Sequence, residues 1–528
     1  MDASAPLNAV SSRDLAAPDC ESGRLDDESF NVGHDALPVA ENQGHQSCGE
    51  LCVRHSKRTL QQRWRLLVPI AVGVGIYAIP RPAGIDHDGW SLVAIFIGTI
   101  VGILLQTLPA GACAIIGASM AVLTGTLKFS EAFNGFSQQA PWIIAIAIFL
   151  ATGINKTKLG ERIACAVVHI FGSTTLGLTY SLVISEFLLG PAIPSVAARS
   201  GAIVLPIIRS LAEVCGSKPG DGTERQLGAY LMVTCFQTAA VTCATFLTGS
   251  HPNPLSAALA EEETGKELSW LLWTKGAIVP ALVDIFLIPL VIWLVYPPRM
   301  RDTTQAKTLA SAKLRSMGPM KRGEWTMLAA MLITVALWLA GPSIGVSTVV
   351  AGSIGLMIVL VLEVIEWEDC LATKMAWDTM TWLSILMAMA NQLKEKGVID
   401  VVQKNISSSI DELNWHWYPS LLLLVIVYVY AHYLFASNIA HVAALYTSFL
   451  AVMISVGSPP LLASLVLSYF SNMMGAISHY GMTHGPLFFG QGYVPLSVFL
   501  GIGLLVSVVN FVVWMGVGSL WWWVLGYM

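Results

Sequence analysis

Four groups of small polar residues interrupt long apolar stretches of this sequence, and carboxylate binding is the chemistry that they could support. The groups are Ser195; Ser250 with Asn253; Ser437 with Asn438; and Ser478 with Thr483. A helix that ends inside a membrane presents unpaired backbone N–H groups and the positive end of its dipole to an anion. Such an end contributes up to about 2 kcal/mol, and millimolar binding needs only about 4 kcal/mol. Two helix ends and several hydroxyl groups would therefore hold a small carboxylate loosely enough to release it.

The composition places these residues in a membrane. Of the 528 residues, 55% are hydrophobic and 12% are charged, against roughly 25% charged residues in soluble domains. Basic residues are concentrated just before the first apolar stretch and in the segment 299–323, which the positive-inside rule assigns to the cytosolic side or its organellar equivalent. A soluble multidomain protein is excluded.

The elements that must position the polar groups are membrane helices, two hairpins and two broken helices. We predict an all-α integral membrane protein with about eleven transmembrane helices plus two re-entrant hairpins, arranged as an inverted repeat. Continuous helices are expected near 66–79, 90–108, 110–126, 139–154, 270–297, 325–340, 346–363, 380–393 and within 495–525. The hairpins are expected near 176–212 and 418–455, and the broken helices at 228–262 and 458–490. The legs of the first hairpin are too short to cross about 30 Å of hydrocarbon.

The spacing of matching landmarks indicates a duplication. Trp142 corresponds to Trp382 (382 − 142 = 240), Ser195 to Ser437 (437 − 195 = 242), and Gly249 to Gly481 (481 − 249 = 232). Three similar separations predict two related halves, 63–298 and 324–528, joined by a basic cytosolic loop at 299–323. An odd number of crossings per half inverts the second half, and paired discontinuous segments in inverted halves indicate a transporter's binding site near the midplane.

Several segments at these interruptions carry a family resemblance. They are Gly190-Pro-Ala-Ile-Pro-Ser-Val-Ala-Ala-Arg-Ser-Gly201, Gly228-Ala-Tyr-Leu-Met232, Phe246-Leu-Thr-Gly-Ser-His-Pro-Asn-Pro-Leu255, His432-Tyr-Leu-Phe-Ala-Ser-Asn438, Gly475-Ala-Ile-Ser-His-Tyr480 and Phe489-Gly-Gln-Gly-Tyr493. They resemble the divalent anion/sodium symporter family, and within it the 2-oxoglutarate/malate translocators of plant plastids. The resemblance implies a scaffold domain and a mobile transport domain, a homodimer, an elevator-type motion and a place in the plastid inner envelope.

The resemblance also implies which residues bind cargo. The family's tip signatures, Ser-Asn-Thr, map onto Ser195-Val196-Ala197 and Ser437-Asn438-Ile439. The predicted substrate-binding residues are Ser195, Ala197, Arg199, Ser250, Ser437, Asn438, Ile439, Met482 and Thr483. Residual sodium-site positions would be Ser195, Gly249, Ala436, Asn438 and Gly481. For Arg199 two roles stay open: attraction of a second carboxylate, or a structural pairing.

Departures from these signatures bear on ion coupling. Sodium needs several oxygen ligands, which the side chain of Val196 cannot supply. We therefore predict sodium-independent exchange of small dicarboxylates such as 2-oxoglutarate and malate. Sodium-coupled symport of dicarboxylate, citrate or sulfate is the alternative. Neither a cofactor nor a nucleic-acid partner is expected.

Other classes of protein fit the sequence less well. An intramembrane enzyme would need a nucleophile with a base, or paired metal ligands, at helical spacing, and neither pattern occurs among the apolar segments. A channel would carry a charged ring or filter repeat.

Residues 1–62 form a polar tail, expected to be disordered, whose acidic residues do not suit a transit peptide. The tail contains His45, Cys48, Cys52 and His55, which are possible zinc ligands. Asn405 begins a glycosylation acceptor.

Overall fold

A computed structural model describes residues 67–105, 107–398, 401 and 416–528. Within these residues, every regular element is a helix. The polar tail with its His/Cys cluster and the acceptor at Asn405 lie outside the described residues.

The first half begins with six helices, continues with the first hairpin and the first broken helix, and ends with one long helix. Its helices are α1 (Leu67–Ala78), α2 (His87–Leu104), α3 (Ala110–Leu123), α4 (Phe129–Phe133), α5 (Gln139–Thr157), α6 (Leu159–Phe171), α7 (Thr175–Leu189), α8 (Leu205–Val214), α9 (Gly228–Thr245), α10 (Pro252–Thr264) and α11 (Trp270–Val295). A π-helix at Ala197–Val204 leads into α8. Helices α7 and α8 are the two legs of hairpin 1, and α9 and α10 are the two parts of broken helix 1.

The second half repeats this order after a connecting helix, α12 (Thr304–Met317). Its helices are α13 (Arg322–Ile344), α14 (Thr348–Val361), α15 (Trp367–Ala372), α16 (Lys374–Glu395), α17 (Trp417–Ala431), α18 (Asn438–Ser455), α19 (Pro460–Met473), α20 (Gly485–Phe489), α21 (Leu496–Val513) and α22 (Ser519–Val524). Hairpin 2 consists of α17 and α18, and broken helix 2 consists of α19 and α20.

Local sequence determines where several of these helices start. The side chains of Asp86, Thr174, Ser269 and Ser347 each accept a hydrogen bond from the backbone N–H three residues later. Such N-caps satisfy donors that have no partner inside the helix. Each start lies within a few residues of the predicted boundary.

Helix length agrees with a membrane protein. Among the described residues, eight helices are long and apolar enough to cross a bilayer, and four shorter apolar helices accompany them. The shorter set includes α1, α3, α7 and α14, three of which the sequence predicts as spanning helices. The legs of hairpin 2 are each 18 residues long when the 3-10 turn after α17 is included. In hairpin 1 the first leg, α7, has 15 residues, and the second leg spans Ala197–Val214 when the π-helix before α8 is included, so only its first leg is shorter than those of hairpin 2.

The basic segment between the halves is not only a loop. Helix α12 occupies Thr304–Met317 within it. Ala306 and Ala310 lie four residues apart on one face of α12 and are buried, and α12 packs on α6 and α8. This short apolar stripe is the physical reason that the segment folds.

The first parts of both broken helices lie in the interior. All 18 residues of α9 are buried, and in α19 every residue from Leu462 to Met473 is buried. Helices buried on all sides place the chain breaks that follow them deep in the protein, at the position where the sequence predicts a binding site.

Candidate functional site

The tip of hairpin 1 packs directly on the break in broken helix 1. The Thr248 hydroxyl donates to the Pro191 carbonyl over 2.7 Å, and the Trp270 indole donates to the Thr248 hydroxyl over 3.1 Å. Ser195 is buried, and its hydroxyl accepts a bond from the Ala198 N–H at 3.2 Å. Ser195 therefore caps the start of the second leg, and the tip of hairpin 1 contacts the break through Pro191.

Arg199 joins the same two elements more strongly. Its Nη1 donates to the carbonyls of Ile193, at 2.5 Å, and Gly249, at 3.0 Å. Its Nε lies 3.5 Å from Oε1 of Glu186, which also accepts a hydrogen bond from the Ser200 hydroxyl. Arg199 and Glu186 are 0% and 1% exposed, and such buried charges need this kind of partner. In this conformation the guanidinium contacts protein groups, so cargo binding by Arg199 stays a prediction.

Three asparagine side chains connect broken helix 1 to broken helix 2 and to hairpin 2. Asn253 donates to the carbonyls of Cys243 and Phe246, at 2.8 and 2.9 Å, at the end of α9. Asn472 donates to Oδ1 of Asn253 over 2.6 Å. Asn438, at the tip of hairpin 2, donates to the Ser471 carbonyl over 2.8 Å. All three amides are buried, so their bonds are made in a low-dielectric interior where each matters more.

The break in broken helix 2 is held by hairpin 2 and by α9. The Nε2 of His432 donates to the Gly481 carbonyl over 3.0 Å, because a carbonyl oxygen can only accept. The Gly481 N–H donates to the Ser478 hydroxyl at 3.0 Å. From α9, Gln237 donates to the Ala476 carbonyl at 3.0 Å. Both breaks thus have a carbonyl that accepts a bond from a hairpin side chain.

Close packing at the second break requires glycine. A Cβ on Gly475 would lie 2.2 Å from Cγ of Met482 and 2.7 Å from Oδ1 of Asn438. A Cβ on Gly481 would lie 2.7 Å from the Gly475 carbonyl oxygen and 2.9 Å from Nε2 of His432. The absence of a side chain at these positions lets hairpin 2 approach the backbone of broken helix 2.

Hydrogen bonds therefore link the four elements that carry the predicted residues. The predicted set divides by exposure: the buried members are Ser195, Arg199, Ser250, Asn438 and Met482, and the accessible members are Ala197, Ser437, Ile439 and Thr483. Of the residual sodium positions, Gly249 and Gly481 are buried and Ala436 is exposed. Cargo binding by these residues remains a prediction.

Four further residues, outside the set predicted from the sequence, hold the same region together. They are Glu186, Thr248, His432 and Asn472. Glu186 is the one carboxylate in the apolar leg α7, and Asn472 is the one amide in the apolar helix α19. An isolated ionisable or amide group in a membrane helix is the signal that could have identified both.

A crevice lies between broken helix 1 and two other helices, α5 of the first half and α16 of the second half. It has a volume of about 280 Å³ and is lined from α5, α16, α10 and the first break. Its lining includes Gln139, Leu247, Pro254, Ala257, Glu262, Met387 and Asn391. Leu247 and Pro254 flank the break, so the crevice reaches the candidate site. Carboxylates of α10 line the crevice and repel anions, so the crevice itself is a poor binding site for a dicarboxylate.

A solved structure shares this architecture. The fold resembles that of the YdaH transporter of Alcanivorax borkumensis with a TM-score of 0.52, covering 88% of this chain and 97% of that one. Only 14% of the aligned residues are identical, so this likeness concerns the fold alone.

Relatives in sequence are closer. The chain is 48% identical over 461 residues to "Dicarboxylate transporter 1, chloroplastic" of Spinacia oleracea, covering 87% of this chain and 81% of that protein. It is 31% identical over 479 residues to the "L-tartrate/succinate antiporter" of Escherichia coli (strain K12), covering 87% of this chain and 97% of that protein. The family described as "Sodium:sulfate symporter transmembrane region" matches residues 60–528. The resemblance seen in the hairpin and break motifs is confirmed, and the chain belongs to this family.

Proposed function

We propose that this multi-pass membrane protein is a secondary transporter, not an enzyme, and that it exchanges small dicarboxylates such as 2-oxoglutarate and malate. The observation that carries the proposal is the hydrogen-bonded junction of two hairpin tips with two helix breaks in the protein interior. The names of the relatives, a dicarboxylate transporter and a tartrate/succinate antiporter, support the same cargo class.

We infer that exchange is independent of sodium. The break carbonyls at the residual sodium positions already accept hydrogen bonds, Gly249 from Arg199 and Gly481 from His432. A guanidinium 3.0 Å from the Gly249 oxygen repels a second cation there. The hydrocarbon side chains of Val196, Ala197 and Ile439 offer no oxygen ligands. These positions therefore offer sodium few uncommitted oxygen ligands, which supports exchange without sodium.

The proposed motion is an elevator-type movement of the hairpins and broken helices against α5 and α16. The crevice beside α10 supports it, because elements that slide past each other must not be fully interdigitated there. The homodimer that the family resemblance implies belongs to the same proposal. The chloroplast relative supports a plastid envelope, and the bacterial relative is equally compatible with another membrane.

Counter-exchange in proteoliposomes tests the function. Vesicles loaded with malate are expected to take up labelled 2-oxoglutarate at the same rate in sodium and in choline buffer. Vesicles without internal dicarboxylate are expected to take up almost none. Uptake that requires sodium and proceeds into empty vesicles would contradict exchange.

The competing candidate is sodium-coupled symport, which the description of the family favours. Including citrate and sulfate as external anions separates the two. Saturable sulfate or citrate uptake driven by an inward sodium gradient, with no response to internal malate, would establish symport instead.

A further inference from the structure

Two buried histidines lie directly behind the tip of hairpin 2. His432 follows the first leg and His441 lies in the first turn of the second leg, and both are 0% exposed. Their Nδ1 atoms are 3.2 Å apart. The backbone N–H of His441 donates to the carbonyl of the tip residue Ser437 at 3.1 Å. The pair thus connects both legs of the hairpin to each other, and His432 connects them to the break at Gly481.

The contacts determine where the protons sit on the two neutral rings. Because Nε2 of His432 faces the Gly481 carbonyl, it carries a proton, which leaves its Nδ1 as an acceptor. His441 must then donate from its own Nδ1, so its Nε2 is a bare lone pair. That Nε2 is buried and has no hydrogen-bond partner. An unpartnered buried acceptor is costly, and this nitrogen is the atom of the pair that can take up one further proton when an anion lies beside it.

The described segment that carries the pair, residues 416–528, has no Asp, Glu, Lys or Arg of its own. The other titratable groups on the neighbouring elements are His416 before α17, Tyr418, Tyr428 and Tyr430 on it, Tyr433 after it, Tyr446 on α18, Tyr469 on α19, and His479, Tyr480 and His484 in the second break. Tyr428 meets His441 edge to face at 4.5 Å between ring centroids. Two further helices pack on α18: α10, with Glu261, Glu262 and Glu263 in its last turns, and α2, with His87 and Asp88 in its first turn.

The charges on the hairpins and broken helices indicate what such a proton would do. The hairpins and broken helices contain two arginines, Arg199 and Arg209, against five glutamates, Glu186, Glu213 and Glu261 to Glu263. Arg199 is already paired with Glu186, and Arg209 with Glu213. A dianion that enters between the tips therefore finds no uncommitted arginine or lysine on these elements. A protonated His441 would supply the missing positive charge one helical turn from Ser437.

We propose that His432 and His441 form a proton-binding site that is filled together with the cargo. The inference rests on the proposed function for the identity of the cargo. The proton adds to the lone pair of His441 Nε2, and the imidazolium keeps its Nδ1 bond to His432. The dianion and the proton stabilise each other through charge, so each raises the affinity for the other. Affinity for a dicarboxylate therefore rises as the pH falls.

Fumarate counter-exchange in proteoliposomes tests the proposal, because both carboxyl groups of fumarate stay ionised at about pH 6 and at about pH 8. In the wild type, KM for fumarate is expected to fall with pH, by up to about tenfold per pH unit for one linked proton. His441→Asn retains a donor near the position of Nδ1 and removes the Nε2 acceptor. This variant is expected to exchange fumarate with a KM that is the same at both pH values.

The matched control is His484→Gln. His484 is also buried beside the second break, and its Nε2 contacts the Phe236 carbonyl at 3.4 Å. The glutamine retains that donor, so the pH dependence of KM is expected to persist. A pH-independent wild type, or a His441→Asn variant that keeps the wild-type pH dependence, overturns the proposal while leaving exchange intact.

A second measurement does not depend on transport. In protein labelled with ¹⁵N-histidine, the resonances lost in His441→Asn identify the ring of His441. On adding fumarate at about pH 6, its Nε2 signal is expected to move from the bare-nitrogen to the protonated position. If no fumarate is exchanged at any pH, the proposed function fails. If the Nε2 signal does not respond to pH with fumarate in excess, the proton site fails.

Discussion

At the scale of single residues, the Glu186–Arg199 pair decides how hairpin 1 is attached to broken helix 1. Both groups are buried, and each is the other's counter-ion. Removing one member leaves an unpaired buried charge, which costs about 3 to 5 kcal/mol. Variants of this pair can therefore distinguish a structural role of Arg199 from a role in cargo binding.

Arg199→Gln is expected to lower the thermal stability of the purified protein strongly, because Glu186 loses its partner. The double variant Glu186→Gln with Arg199→Gln is expected to recover most of that stability, since no buried charge remains. Melting temperature in detergent and exchange rate in vesicles are the two readouts. Recovery of exchange along with stability assigns Arg199 a structural role, whereas recovery of stability alone assigns it to the cargo.

Gly475 offers a second residue-scale test. In Gly475→Ala the new Cβ would lie 2.2 Å from Met482 Cγ and 2.7 Å from Asn438 Oδ1, and such overpacking costs about 1 to 3 kcal/mol. We expect at least a tenfold loss of exchange rate, measured in proteoliposomes, because Asn438 must leave its bond to Ser471. The control is Gly501→Ala in α21, where a Cβ meets nothing within 4 Å. Equal activity of the two variants would show that hairpin 2 tolerates displacement.

At the scale of elements, the crevice beside α10 is where movement would occur. Ala257 on α10 and Met387 on α16 both line it. Cysteines introduced at these two positions and joined by a short bifunctional maleimide are expected to stop exchange, because α10 can no longer slide past α16. Each single-cysteine variant, treated in the same way, is expected to keep its activity. Full exchange by the cross-linked double variant would contradict an elevator-type motion.

At the scale of the whole molecule, polar contacts made by α5 and α6 join the first half to α13 and α15 of the second half. Arg162 on α6 donates through Nε to Glu324 on α13 at 2.5 Å and through Nη1 to the Gly318 carbonyl at 2.8 Å. Lys156 at the end of α5 bonds Asp369 of α15 at 2.6 Å, and this bond holds the pKa of the Asp369 carboxyl below its usual value. These bonds connect the end of the first group of helices to the start of the second half.

Arg162→Ala is expected to lower the free energy of unfolding by about 3 kcal/mol, because it removes the cationic partner of the Glu324 carboxylate, which is 4% exposed and keeps the backbone N–H of Lys321 as a donor. The expected KM for dicarboxylate is unchanged, since Arg162 lies outside the candidate site. Arg209→Ala is the control: its pair with Glu213 is exposed and is worth about 0.3 to 0.5 kcal/mol. Thermal melting of the wild type and the two variants measures the difference. An equal loss of stability in both variants would show that the Arg162–Glu324 pair contributes no more than the exposed one.

The fold class and the family could be read from the sequence alone, and the sequence also predicts where the hairpins and breaks lie. These features are written locally, in the length of apolar runs and in the Gly, Pro and Ser residues that interrupt them. Hairpin 1 was predicted at 176–212 and comprises helices that begin at Thr175 and end at Val214. The prediction failed where local signals were weak: the central loop contains α12, and the second part of broken helix 2 is a helix of only five residues.

How the four interruptions are joined depends on the packing of the helices and could not be read from the sequence. Asn472 bonds Asn253 across 219 residues, and Arg199 bonds Gly249 across 50. No local pattern specifies such partners, because they depend on which buried donors and acceptors meet once the helices pack. The same is true of the bare nitrogen of His441, which is a consequence of the carbonyl that His432 faces. The sequence predicts a polar site inside the membrane, and the packing of the helices determines which buried polar groups meet there.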